Sequence, residues 1–139
     1  MKVSETKITK LPKIGDQRGN LSVAEGFNEV PFDIKRAFWM YGVPAGKGRG
    51  GHAHKELKQF VIPVSGSFRV TLDDGSDKRE FLLDSPDKGL LIDTVTWADL
   101  ADFSEDAVCL VLASDVFRED DYLGTYEEFT EYLSQISKK

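Results

Sequence analysis

The chain predicts an all-β sandwich or barrel closed by a single terminal helix, and three observations predict it. Short apolar runs recur between turn signals along most of its 139 residues. One of them, Phe68 to Leu72, alternates Phe68, Val70 and Leu72 with Arg69 and Thr71, the period-two pattern of a half-buried strand. Helical spacing is confined to the end, where Thr125-x-x-Glu128 forms a capping box and Phe129, Leu133 and Ile136 follow on one face.

The elements follow in order. Ile34 to Val43 is an aromatic, apolar strand that runs into the glycine-rich loop Pro44 to Gly51. Phe60 to Val64 leads through Ser65-Gly66-Ser67 to Phe68 to Leu72. Asp73-Asp74-Gly75 is a hairpin signal, and Lys78 to Leu83 is the returning strand. Leu90 to Ile92, Val95 to Trp97 and Ala107 to Leu112 supply three more. The helix spans about residues 125–137, and the lysines Lys138 and Lys139 behind it suit the negative end of its dipole. No linker, repeat or low-complexity tract divides the sequence, so one domain over 1–139 is expected, its β core at about 8–115.

Composition narrows the function classes. Apolar residues make up 40% and charged residues 30%, enough for a real core. With 18 Lys+Arg against 24 Asp+Glu, the net charge of −6 disfavours a nucleic-acid partner, because phosphate contacts need a basic surface. No run has membrane-spanning length and the N-terminus has no apolar signal core, so the expectation is a cytoplasmic protein without a membrane partner. The one cysteine, Cys109, lies in the apolar run Val108 to Leu112 and reads as a buried, inert thiol. The glycines at 46, 48, 50 and 51 lack the Lys-Ser/Thr and the long helix that a phosphate-binding loop requires.

The chemistry concentrates at Arg49-Gly50-Gly51-His52-Ala53-His54-Lys55 and Gln59. The chain's two histidines stand two apart, so on a strand both imidazoles project to one face. The spacing Gly46, His52, His54, Gln59, Gly66 resembles the first motif of the cupin superfamily. That resemblance implies a double-stranded β-helix, or jelly roll, with the histidines facing into the barrel. Metal-binding cupins usually carry Glu where this chain has Gln59, and a third histidine on a later strand. Here Leu90, Leu91 and Ile92 follow Pro86 to Gly89, and there is no third histidine. Two imidazoles and a neutral amide under-coordinate a transition metal, so neither metal nor other cofactor is expected. Histidine titrates near pH 6.5, which suits the pair to proton transfer beside a carbonyl.

More of the sequence carries a narrower resemblance: Asp16-Gln17-Arg18-Gly19-Asn20-Leu21, Pro31 to Arg36, Arg49 to Lys55 with Gln59, Leu72 to Gly75, Trp97, Leu110 to Ser114 and Asp121-Tyr122. Over roughly residues 8–133 the chain resembles the metal-independent nucleotide-sugar 3,4-ketoisomerases acting on dTDP-4-keto-6-deoxyglucose. The resemblance implies His52 and His54 as the acid/base pair. It implies Arg18, Arg36, Arg49, Lys55 and Arg69 as cations for the pyrophosphate or the developing enolate, with Gln59 and Trp97 as further substrate contacts. Family members commonly have a tyrosine-rich strand where this chain has Arg36-Ala37-Phe38-Trp39-Met40-Tyr41, which leaves Tyr41 as the nearby catalytic hydroxyl. Gln17 and Ala98 occupy positions that vary with product configuration in the family. A dTDP-sugar as small-molecule partner and a homodimer are also implied. The alternatives are a non-catalytic nucleotide-sugar or carbohydrate-binding cupin, and a metallocupin with unusual ligands.

Overall fold

The apolar runs become strands that pack face to face in the computed structural model, which describes residues 2–137. The strands are β1 (Thr9–Lys10), β2 (Lys13–Asp16), β3 (Gly19–Ser22), β4 (Arg36–Tyr41), β5 (Arg49–His54) and β6 (Gln59–Ser65). They continue as β7 (Phe68–Asp73), β8 (Lys78–Leu83), β9 (Lys88–Ile92), β10 (Trp97–Ala101), β11 (Val108–Ala113) and β12 (Tyr122–Leu123), before the helix α1 (Tyr126–Ser137). One antiparallel sheet has the order β1-β9-β6-β11-β4 and a second has β12-β5-β10-β7-β8, while β2 and β3 form a hairpin of their own. This is the two-sheet jelly roll implied by the cupin spacing.

Strand alternation decides what each face buries. The inner faces bring Val61, Leu90, Ile92 and Val111 of the first sheet against Val70, Leu72, Phe81, Leu83, Ala98 and Leu100 of the second. Burying each such aliphatic or aromatic side chain is worth about 1.5–3 kcal/mol, so this layer dominates the fold. Behind the first sheet, Leu11, Val30 and Phe32 from the N-terminal region cover Phe60, Ile62 and Leu112. Behind the second, Phe129 of α1 closes over Ala53 and Leu123, with Trp97 packed against them. Thr125 Oγ1 accepts a hydrogen bond from the Glu128 N–H at 3.1 Å, the N-cap half of the capping box, and its hydroxyl donates to the Glu128 carboxylate at 3.2 Å. Lys138 and Lys139, read as complements to the helix dipole, lie outside the described residues.

Two local readings need correction. The glycine-rich run after Val43 is not loop throughout, because Arg49, Gly50 and Gly51 already belong to β5. Gly50 and Gly51 have φ of 87° and 72°, and a Cβ at Gly50 would meet the Ala98 carbonyl oxygen at 2.8 Å. Only glycine fits this close approach, which coincides with the register shift between Ala98 and Asp99 where β10 pairs β5. The strand predicted at Val95 to Trp97 starts instead at Trp97. Val95 sits in the left-handed region at φ 52°, strained for a β-branched residue, and its N–H donates to the His54 carbonyl at 2.7 Å. Cys109 is fully buried, and burial pushes its thiol up to about 12.

Candidate active site

His52 and His54 lie on the inner face of β5, with Ala53 between them turned outward beneath the helix. Their rings meet edge to face, centroids 4.9 Å apart and planes 87° apart. His52 lines a cavity of about 150 Å³ between the sheets, together with Phe38, Arg49, Gln59, Ala98 and Tyr122. His54 does not line that cavity. It is 4% exposed and stands behind His52 and Tyr122, with its ring 4.3 Å from the Tyr122 centroid.

The two imidazoles have different surroundings. His54 Nδ1 lies 3.2 Å from Asp121 Oδ2, while His54 Nε2 is buried without a hydrogen-bond partner. Asp121 is itself 5% exposed, and its carboxylate also accepts the Glu56 N–H at 2.8 Å and the Leu57 N–H at 3.2 Å. Burial, together with the nearby His52 and Arg36, holds His54 down at about 4 despite the Asp121 charge. Burial also lowers His52, against a Gly50 backbone hydrogen bond and the Asp99 charge that raise it. Burial therefore favours the neutral form of both rings.

Around them the structure sorts the residues named from sequence. Arg49 stands at the exposed rim of the cavity and Gln59 is buried in its wall. Arg36 is close by: its guanidinium carbon lies 5.1 Å from the Phe38 ring centroid and 5.8 Å from that of Phe117, with Nε buried and unpartnered. Tyr41 is not brought into the site. Phe38 and Met40 of β4 face the cavity, so alternation turns Tyr41 to the outer face, where it is 71% exposed. Trp97 is also on the wrong face for a substrate contact. It packs on Phe129 and Tyr126 and donates its indole N–H to Asp99 at 3.0 Å, while its neighbour Ala98 faces the cavity.

Three cations lie elsewhere. Arg69 alternates outward on β7 and pairs with Glu80 at 3.0 Å and Asp102 at 3.4 Å. Lys55 follows the end of β5 and extends toward α1, its ammonium 5.6 Å from the Tyr132 ring. Arg18, with its side chain 88% exposed, sits in the β2–β3 turn paired to Asp16 at 2.6 Å. Sequence reasoning assigned no role to Asp121 or Tyr122, although both stand in the quoted motif string. Their closeness to the histidines depends on β12 pairing β5, with His54 opposite Tyr122. Among the described residues no group of three or more His, Cys, Asp or Glu side chains is gathered as a metal-holding cluster. None of the described helices is long and apolar enough to cross a membrane.

A two-sheet jelly roll whose cavity is walled by a histidine beside a second, carboxylate-paired histidine defines a cupin. Comparison with known proteins places it more narrowly. The family profile "FdtA: WxcM-like, C-terminal" matches residues 4–134, and the chain belongs to that family. It is 41% identical over 133 residues to the TDP-4-oxo-6-deoxy-alpha-D-glucose-3,4-oxoisomerase of Aneurinibacillus thermoaerophilus, covering 96% of each chain. Among solved structures it resembles the TDP-quinovose 3,4-ketoisomerase of Campylobacter jejuni, with 40% identity, a TM-score of 0.88, and 93% of this chain and 99% of that one covered. The 3,4-ketoisomerase of Thermoanaerobacterium thermosaccharolyticum, crystallised as a His-to-Asn variant with TDP-4-keto-6-deoxyglucose, is 32% identical with a TM-score of 0.91, covering 96% and 97% of the two chains.

Proposed function

We propose that the chain is a sugar-nucleotide isomerase that moves the keto group of a dTDP-linked 4-keto-6-deoxyhexose from C4 to C3. The observation that carries this reading is the His52 imidazole in the wall of a small cavity, with the His54 ring centroid 4.9 Å from its own. His52 takes the proton from C3, and the C–H electron pair forms the C3=C4 bond of an enediolate whose charge rests on O4. The O3 proton passes to O4, and C4 receives a proton from the protonated His52 after exchange with solvent, so that the carbonyl ends at C3, His52 is neutral again, and no hydrogen is gained or lost. Arg36 and Arg49 are the cations nearest this charge, and the partly desolvated setting strengthens their attraction for it. Gln59 supplies an amide to a sugar oxygen. The cavity of about 150 Å³ is small beside the roughly 300–1,000 Å³ typical of whole-ligand pockets, which fits entry of the sugar alone with the diphosphate at the Arg49 rim.

Incubation with dTDP-4-keto-6-deoxyglucose in deuterated buffer, followed by NMR, tests the reading. It predicts a 3-keto product carrying deuterium at C4, and loss of turnover in His52→Asn. Binding of dTDP without any exchange in the wild-type protein would favour a non-catalytic nucleotide-sugar module instead.

The working form in this reading is a homodimer. The β2–β3 hairpin stands apart from both sheets with Ile14 and Leu21 exposed, and Trp39 and Tyr41 are exposed on the outer face of β4. Lone two-stranded hairpins are marginal in water, and a second copy is the cover that a symmetric assembly provides. Sedimentation should give twice the chain mass, and Leu21→Asp should shift it toward the monomer. A wild-type monomer across the micromolar range would refute this assembly.

A further inference from the structure

Asp121 is the most deeply committed carboxylate near the cavity, yet it does not line the cavity. Its two oxygens accept three hydrogen bonds, from the Glu56 and Leu57 N–H groups and from His54 Nδ1. Its backbone carbonyl also accepts the Lys55 N–H at 3.0 Å, so the residue is anchored from both main chain and side chain to the segment leaving β5. A carboxylate held this way presents only an acceptor to His54, which requires Nδ1 to carry the hydrogen. The other nitrogen, Nε2, is then a bare lone pair, and it is buried without a partner in the structure. The His54 backbone is clamped as well, its carbonyl accepting the N–H of the strained Val95. Orphaned buried acceptors are costly, and in a folded protein one this well supported points to a function.

We infer that Asp121 is a positioning residue that locks His54 as the Nδ1–H tautomer, holding its Nε2 lone pair beside His52 and Tyr122. The inference rests on the proposed isomerase reading for its kinetic consequence, but not for its structural one. The carboxylate does not line the cavity, so its effect on turnover is indirect, and the ring it meets is His54. His54 in turn meets His52 and Tyr122, two of the rings that line the cavity. A neutral His54 in one fixed tautomer keeps a second positive charge away from His52 while offering an acceptor for a proton in transit. The opposite tautomer would present N–H where the lone pair belongs.

The wild-type chain tests the structural half without substrate. With only two histidines, ¹⁵N-labelled imidazole spectra can be assigned by His54→Asn. His54 is expected to show a protonated Nδ1 and an unprotonated Nε2 at pH 7, and the reverse pattern would overturn the assignment. Asp121→Asn tests the kinetic half. The Asn amide cannot satisfy two backbone N–H donors and hold Nδ1–H at once, so His54 should lose its single tautomer. The kcat for the ketosugar should fall about 10²-fold with KM little changed, and Asp121→Glu should recover part of it. An Asp121→Asn protein that melts near the wild type and keeps both tautomer and kcat would refute the proposal. If that variant fails to fold, the wild-type spectrum alone decides. If the wild-type protein does not turn over the ketosugar, the isomerase reading fails while the tautomer measurement still judges Asp121.

Discussion

Ala98 on β10 lies directly opposite His52 on β5, with both side chains on the barrel's inner face. Opposed residues of an antiparallel pair have Cβ atoms about 4.5–5.5 Å apart, so the smallness of Ala98 is what leaves room over the His52 ring. Filling that room should block the sugar before it harms the fold. Ala98→Leu is expected to raise KM for the ketosugar at least tenfold, with a stability loss of about 1–3 kcal/mol from overpacking. Steady-state kinetics and chemical denaturation on the same variant separate the two effects. Unchanged KM would mean that the substrate does not approach His52 from this side.

The histidines should also leave a signature in stability against pH. Burial lowers both imidazoles, His54 to about 4. A base whose folded value lies below its unfolded value near 6.5 binds protons more readily when unfolded. The stability associated with keeping it neutral is therefore complete above about pH 6.5 and drains away as pH falls toward 4, where the folded ring titrates. Melting temperatures across this window should decline more steeply for the wild type than for His54→Gln. Parallel curves would show that His54 is not held neutral by the fold.

Aromatic hydroxyls near the cavity give a sharper contrast. Tyr122 lines the cavity with its ring 5.2 Å from His52, whereas Tyr41 points out from β4. Tyr122→Phe should lower kcat about tenfold or more if its hydroxyl handles a proton, and Tyr41→Phe should leave kcat unchanged. The reverse ranking would mean that the working site differs from the cavity in the single chain.

These residues show what a sequence makes legible. The His-x-His pair and the Phe68 to Leu72 alternation are local patterns, and the backbone keeps local patterns: His52 and His54 share a face, and β7 buries every second residue. Trp97 was named from the family resemblance, which does not say which face of its strand it takes, and β10 turns Trp97 to the helix and Ala98 to the cavity. Tyr41 failed by parity, being an odd number of residues from Phe38 on the same strand. Asp121 carries no local signal at all. It is separated by 67 positions from His54, and only the β5–β12 pairing brings the two together. Arg18 was visible within the Asp16 to Leu21 motif, but the hairpin that holds it was not read from the sequence, and nothing in a single chain's pattern says what packs on an exposed hairpin.

The C-terminal helix should matter to the site through packing rather than contact. Phe129 is fully buried against Ala53 and Leu123, the outward residues of the same strand pair that presents His52, His54 and Tyr122 inward. Truncating it to Ala should cost about 3–5 kcal/mol, because the cavity left behind cannot collapse between a helix and a sheet. Removing only the cap, with Thr125→Ala, should cost about 1 kcal/mol and leave that packing in place. Denaturation midpoints give both numbers, and the active-site consequence is separable. Thr125→Ala should keep the wild-type kcat, whereas Phe129→Ala, measured where it is still folded, should lose turnover as β12 loosens from β5 and carries Asp121 and Tyr122 with it. Equal kcat in the two variants at matched folded fractions would show that the β5–β12 pairing holds the site without the helix behind it.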